Sequence, residues 1–284
     1  MNFNNFFSFF KRLNLVLTKI EFLISSPPVI DWNAKAFYWK NFGAQSSLVP
    51  IKNISSIEMD DLLYVDRQKE IINRNTKHFI ENKPANNLLM TGARGTGKSS
   101  LVKAMLTKYY KFGLRIIEVN KYDLNYLIEI VDLISNREEY YIIFCDDLSF
   151  ENNEKGYKEL KSILDGSLLS LTNNILIYAT SNRRHLLPEY IKENEKNFME
   201  EIHVNEHIEE KISLSERFGL WLSFYPFTQE NYLDIVKYWL IKMGYSIEQD
   251  NNWHEAALQW SLERGGRSGR IANQFARDWL YRHD

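Results

Sequence analysis

The stretch "NNLLMTGARGTGKSSLVKA", Asn86 to Ala104, decides the fold. It opens as an apolar strand, passes through a glycine-rich turn and continues as a helix from Lys98. Gly92 to Ser99 fits G-x-x-x-x-G-K-[ST] in full, between a strand and a helix as a phosphate-binding loop requires. Glycines let the backbone curl so that successive N–H groups face phosphate oxygens, and the following helix adds its positive N-terminal end. The residues assigned to the nucleotide are therefore Gly92, Ala93, Arg94, Gly95, Thr96, Gly97, Lys98, Ser99 and Ser100. Lys98 reaches the β- and γ-phosphates of ATP, and the Ser99 hydroxyl ligates Mg²⁺.

Such a loop needs a second metal ligand from a neighbouring strand. "YYIIFCDDLSF", Tyr140 to Phe150, supplies an apolar run that stops at two acids. Parallel strands gather ligands at their carboxyl ends. Asp146 is the metal acid, acting directly or through a water. Asp147 then faces the γ-phosphate region as the proposed base for the attacking water. The competing reading is that the pair caps the next helix. A further strand, "NILIYAT", ends in "SNRRH", which offers Asn182 to the γ-phosphate or the lytic water.

Composition permits a soluble globular protein. The 284 residues are 44% hydrophobic and 25% charged, enough to bury a large core. A formal charge of −2 gives no general attraction to nucleic acid or anionic lipid. The single cysteine, Cys145, excludes an internal disulfide and fits a reducing compartment. In "MNFNNFFSFFKRLNLVLTKIEFLI" the apolar cluster precedes Lys11 and Arg12, the wrong order for a signal peptide. Charges interrupt it, so no transmembrane segment is expected and the location expected is cytoplasmic. Leu13, Val16, Leu17, Ile20, Leu23 and Ile24 follow the spacing of an amphipathic helix.

"SSPPVIDW" breaks that helix, and the text to about Asp61 is aromatic and irregular, anchored by "AFYWKNF". From Asp66 the pattern is regular. Helices are expected over 66–82, 98–110, 123–135 and 155–169, alternating with the strands "NNLLM", "LRIIEV", "YYIIFC" and "NILIYAT". Alternation at this spacing means an α/β fold with a parallel sheet covered on both faces. After "FYPFTQENY" the strands stop, and 228–284 reads as helical, with Trp239, Trp253, Trp260 and Trp279 as core anchors. The expected division is an N-terminal extension over 1–60, an α/β nucleotide domain over 61–227 and a helical lid over 228–284.

Phosphate loop, acidic strand, polar strand end and helical lid together resemble the AAA+ ATPases. The resemblance implies a P-loop NTPase parallel sheet of AAA+ type. It also implies that "SERFGL" carries an arginine finger, Arg217, acting on a neighbouring subunit's ATP. "GGRSGRIANQF" is similar to a segment of branch-migration motors that holds a sensor arginine, pointing to Arg270, with Arg267 next. "DDLLYVDRQKE" resembles the adenine-side segment, placing Leu63, Tyr64 and Val65 near the base, although the family usually has Gly where Tyr64 stands. Asn120 falls where the family often keeps a polar residue that restrains the catalytic acid.

From about residue 35 onwards, "PANNLLMTGARGTGKSSLVKA", "FCDDLSFE", "YATSNRRHL" and "RFGLWLSFYPF" are together similar to a bacterial family of single-domain AAA+ ATPases, predicted from sequence and without an assigned cellular role. Its acidic strand also ends in two Asp residues. The resemblance implies ATP and Mg²⁺ as cofactors. It implies a homo-oligomer, a ring with six subunits as one candidate number, and an unidentified protein or nucleic-acid partner. The rival class is a nucleotide-gated binding switch with little turnover. A third pattern, "HVNEH", has a zinc-peptidase spacing at His203 and His207, set in a polar run with little apolar backing.

Overall fold

The structure, a computed structural model, describes residues 11–17, 29–42, 45–149, 155–165, 172–182, 214–247 and 252–283. The strands are β1 (Ala36–Phe42), β2 (Gln45–Pro50), β3 (Leu88–Gly92), β4 (Leu114–Glu118), β5 (Tyr140–Cys145), β6 (Ile175–Ser181) and β7 (Leu220–Phe224). They form one sheet in the order β2-β1-β4-β5-β6-β3-β7. Every pairing is parallel except that of β1 with β2. Among the described residues it is covered by the helices α1 (Asp66–Ile80), α2 (Lys98–Tyr109), α3 (Leu127–Ile134) and α4 (Lys155–Leu164).

Strand period two sorts each strand's side chains onto opposite faces. On β5, Ile142 and Phe144 join Ile72 and Phe79 of α1 and Leu101 and Met105 of α2. Tyr141, Ile143 and Cys145 turn the other way, onto Leu127, Ile130 and Ile134 of α3 and Leu160 of α4. Both faces are dry, so β5 reads as a continuous apolar run. The Cys145 thiol lies inside, and burial pushes its pKa up to about 12. It behaves as a small core side chain rather than a nucleophile.

Two expectations need correction. The segment read as irregular holds the β1–β2 hairpin, and β1 pairs with β4 in register Phe37 to Ile117. Phe37, Trp39 and Leu48 are fully part of the α3-side core, so the N-terminal segment extends the sheet. β7 was also absent from the strand pattern; it pairs with β3 from Leu88–Leu220 to Gly92–Phe224. Residues 11–17 are helical and exposed. Among the described residues no helix is long and apolar enough to cross a membrane.

Among the described residues, the helices that follow β7 are α5 (Gln229–Lys242), α6 (Trp253–Glu263) and α7 (Gly269–His283). The Thr228 hydroxyl accepts the Asn231 N–H at 3.1 Å and caps α5. Their apolar faces meet around Tyr232, Val236, Leu240, Trp253, Ala276 and Trp279. Trp239 and Trp260 pack only partly buried at the edge of this cluster.

Candidate nucleotide site

The carboxyl ends of β3, β5 and β6 open into a cavity of about 990 Å³, and the helical unit closes its far side. The phosphate loop forms its floor. Gly95 stands at φ +73°, and a Cβ there would fall 2.6 Å from the Ser268 Oγ at the head of α7. Only glycine fits that turn with the helix seated on it. The Gly269 N–H donates to the Gly95 carbonyl at 2.9 Å, joining α7 directly to the loop.

Lys98 begins α2 and is 7% exposed. Its ammonium donates to the Gly92 and Ala93 carbonyls, each at 2.7 Å, and to the Asn182 Oδ1 at 3.2 Å. Burial lowers its pKa, with Arg94 and Arg270 acting the same way against the opposing pull of Asp146 and Asp147. An ammonium held under those conditions gains most from an anionic ligand.

The Ser99 hydroxyl donates to the Asp146 Oδ1 at 2.7 Å. This meeting of hydroxyl and carboxylate beside the loop is a hard-oxygen donor set of the kind that suits Mg²⁺. The same oxygen receives the Thr180 hydroxyl at 2.6 Å. Thr180 in turn accepts the Asp147 N–H at 2.8 Å. Asp147 occupies the left-handed region at φ +54°. Its carboxylate accepts a hydrogen bond from the Asn182 Nδ2 and lies 3.9 Å from the Arg94 guanidinium.

Arg270, Asn273, Gln274 and Arg277 of α7 all line the cavity. Their spacing of three and four residues places them on one helical face. Leu63 and Val65, before α1, and Trp239 and Lys242 of α5 line it as well. Tyr64 does not line the cavity; it sits at φ +62° and its hydroxyl bonds Asp234 of α5. Glycine is the usual residue at such an angle, so Tyr64 stands where a side chain is disfavoured. Asp61, almost wholly buried, accepts the Tyr238 hydroxyl at 2.6 Å and the Lys242 ammonium.

Other expected residues lie elsewhere. Arg217 pairs with Asp165 and is not part of the cavity wall. Arg267 donates to the Gln229 Oε1 at 3.2 Å. Asn120 is exposed, and its carbonyl accepts the Asp123 N–H at 2.9 Å, outside the cavity lining. His203 and His207 lie outside the described residues; among the described ones no group of three His, Cys, Asp or Glu is placed to hold a metal. Thr180, Lys242 and Arg277 were missed in the sequence. Arg277 carried a signal, being two helical turns from Arg270.

A family model described as "Protein of unknown function (DUF815)" matches residues 32–283. The chain belongs to that family. No curated protein matches the sequence. Among solved structures, one variant of RuvB from Thermotoga maritima is similar at 16% identity and TM-score 0.53, covering 78% of this chain and 64% of that one. A second RuvB variant gives 15%, 0.52, 79% and 64%. The Aeropyrum pernix ORC1 protein, solved in complex with DNA, gives 15%, 0.52, 74% and 57%. At such identities the likeness carries the fold alone, and that fold is the AAA+ P-loop type with a C-terminal helical region. The DUF815 chain spans 64% of the length of the RuvB chains it matches.

Proposed function

We propose that this DUF815 protein binds ATP with Mg²⁺ in the cavity, hydrolyses it, and couples the cycle to remodelling of a partner. The observation that carries the reading is the convergence of Lys98, Ser99, Asp146, Asp147, Asn182 and Arg270 on one cavity. Lys98 and the loop from Gly92 to Ser100 hold the phosphates, with Ser99 and Asp146 holding the metal. Bound Mg²⁺ neutralises phosphate charge and fixes the orientation of the phosphate oxygens. Asp147 takes a proton from water as the water oxygen bonds to the γ-phosphorus. The bond from that phosphorus to the bridging oxygen breaks, and its electron pair leaves with ADP. Asn182 orients the Asp147 carboxylate, and Arg270 offsets charge on the transferred phosphoryl oxygens.

Leu63 and Val65 wall the adenine side, while Tyr64 acts through its bond to α5. Residues 61–227 serve as the nucleotide domain and 228–284 as the lid. Arg217 acts in trans on the ATP of a neighbouring copy, which requires a homo-oligomer, a ring of six being one candidate. The partner is a protein or nucleic acid, and the compartment is the cytoplasm, in keeping with the one buried thiol.

Steady-state phosphate release tests the reading. Turnover in the wild type that disappears in Lys98→Ala is the expected result; no turnover at any protein concentration overturns it. One observation favours the rival, a nucleotide-gated switch. The Asp147 carboxylate is already engaged by Asn182 and Arg94. It is also one methylene shorter than Glu, and misplacement near 1 Å costs roughly 100-fold in rate.

A further inference from the structure

The last residue but one of β6, Thr180, is polar and lies outside the phosphate loop. Thr180 is 2% exposed and stands between the two acids. A backbone N–H only donates, so the Asp147 N–H fixes the Thr180 Oγ1 as acceptor at 2.8 Å. The hydroxyl proton is then free to go only outward, to the Asp146 Oδ1 at 2.6 Å. Donation runs one way along three residues, from the Asp147 amide through Thr180 to the Asp146 carboxylate. Bonds in such a chain polarise one another. The Leu148 N–H, donating to the Thr180 carbonyl at 2.7 Å, anchors the same turn a second time.

We infer that Thr180 is a positioning residue that locks the metal acid Asp146 and the proposed base Asp147 into one unit. This deepens the ATPase reading and rests on it. Two consequences follow from the geometry. Ser99 and Thr180 both donate to Oδ1 of Asp146, which leaves Oδ2 to face a cation or its water. The hydrogen bond from its N–H also ties down Asp147, which stands at φ +54° with its carboxylate bonded by Asn182. Without the hydroxyl, Asp146 loses the Thr180 donor and the Asp147 N–H loses its acceptor.

Thr180→Val keeps shape and removes both bonds; Thr180→Ser keeps both. Binding of a fluorescent ATP analogue is measured with Mg²⁺ and with EDTA, beside phosphate release. Valine is expected to leave EDTA affinity within about 2-fold while the gain on adding Mg²⁺ shrinks about 5-fold or more, as loss of a shell around metal ligands costs 10–100-fold in affinity. Turnover falls with it, in kcat rather than KM, and serine restores both. Should the valine variant not fold, Thr180→Cys beside Thr180→Ser repeats the comparison at near-equal shape with a weak hydrogen-bonding group. A valine or cysteine variant with the wild-type Mg²⁺ gain and turnover overturns the role of Thr180 and leaves the ATPase reading standing. Wild-type protein that binds the analogue with the Mg²⁺ gain but releases no phosphate overturns hydrolysis, and the binding ratio alone then decides Thr180. Wild-type protein whose affinity ignores Mg²⁺ overturns both.

Discussion

Asp147 stands at an angle that most residues avoid. At φ +54° a β-carbon crowds the neighbouring carbonyl, but Asp and Asn tolerate the region because their short polar side chains bond locally. The second acid is thus short for a backbone reason, and the missing methylene of Glu goes with the turn rather than against it. Asp147→Asn suits the same angle and removes the base. Phosphate release is expected to drop at least about 100-fold with ATP affinity unchanged, the usual scale of general-base loss. Asp147→Glu is expected to lower stability by about 1 kcal/mol in denaturant unfolding, the cost of an unsuited residue in this region. Turnover that rises in Asp147→Glu would show instead that reach limits the site. Lys98, Ser99 and Asp146 were legible because motif spacing and strand order bring them together. Thr180 was not, since its polar group hides in an apolar strand and acquires meaning only when β6 lies beside β5.

At the scale of elements, the segment before α1 is strapped to the C-terminal helical unit. Tyr64 bonds Asp234, and Asp61 holds Tyr238 and Lys242, all from α5. Burial raises the Asp61 pKa, but hydrogen bonds from Lys242 and Tyr238 outweigh it and hold the carboxyl below its ordinary 3.8. A depressed carboxylate stabilises the fold above its unfolded pKa and loses that contribution as pH falls through the folded value. Asp61→Asn is therefore expected to cost about 1.5–3 kcal/mol at pH 7, the range for hydrogen bonds to a charged group. The gap between the two thermal melting curves should narrow as pH drops below 3.8. A gap independent of pH would mean that the straps act by packing alone. The alternating helices and strands from Asp66 to Ser181 were legible because both sheet faces are buried and the strands are bounded by clear turns. The β1–β2 hairpin was not. Its aromatics crowd successive positions and blur the period of two, and β1 finds its parallel partner β4 some 80 residues later.

For the whole molecule, the deciding residue is Arg217, which the fold leaves outside the cavity wall and paired with Asp165. On the proposed reading, an arginine placed outside its own cavity wall acts in hydrolysis through a second copy. Contact of that kind is heterologous: one subunit offers its cavity and the next its Arg217 surface. Arg217→Ala should then keep ATP affinity and lose about 1,000-fold or more in turnover, the scale of an arginine finger. The Asp147→Asn chain should be equally inactive while retaining Arg217. Mixing the two pairs an intact cavity from the Arg217→Ala chain with an intact arginine from the Asp147→Asn chain. With random assembly about a quarter of heterologous contacts have that composition, so turnover should return to about a quarter of the wild-type rate. An arginine acting within its own chain gives no recovery at any mixing ratio, because every chain then carries a defect. Specific activity that climbs with protein concentration supports the shared site by a second route. A mixture that stays inactive while the wild type turns over rejects the trans role and returns Arg217 to a structural ion pair with Asp165.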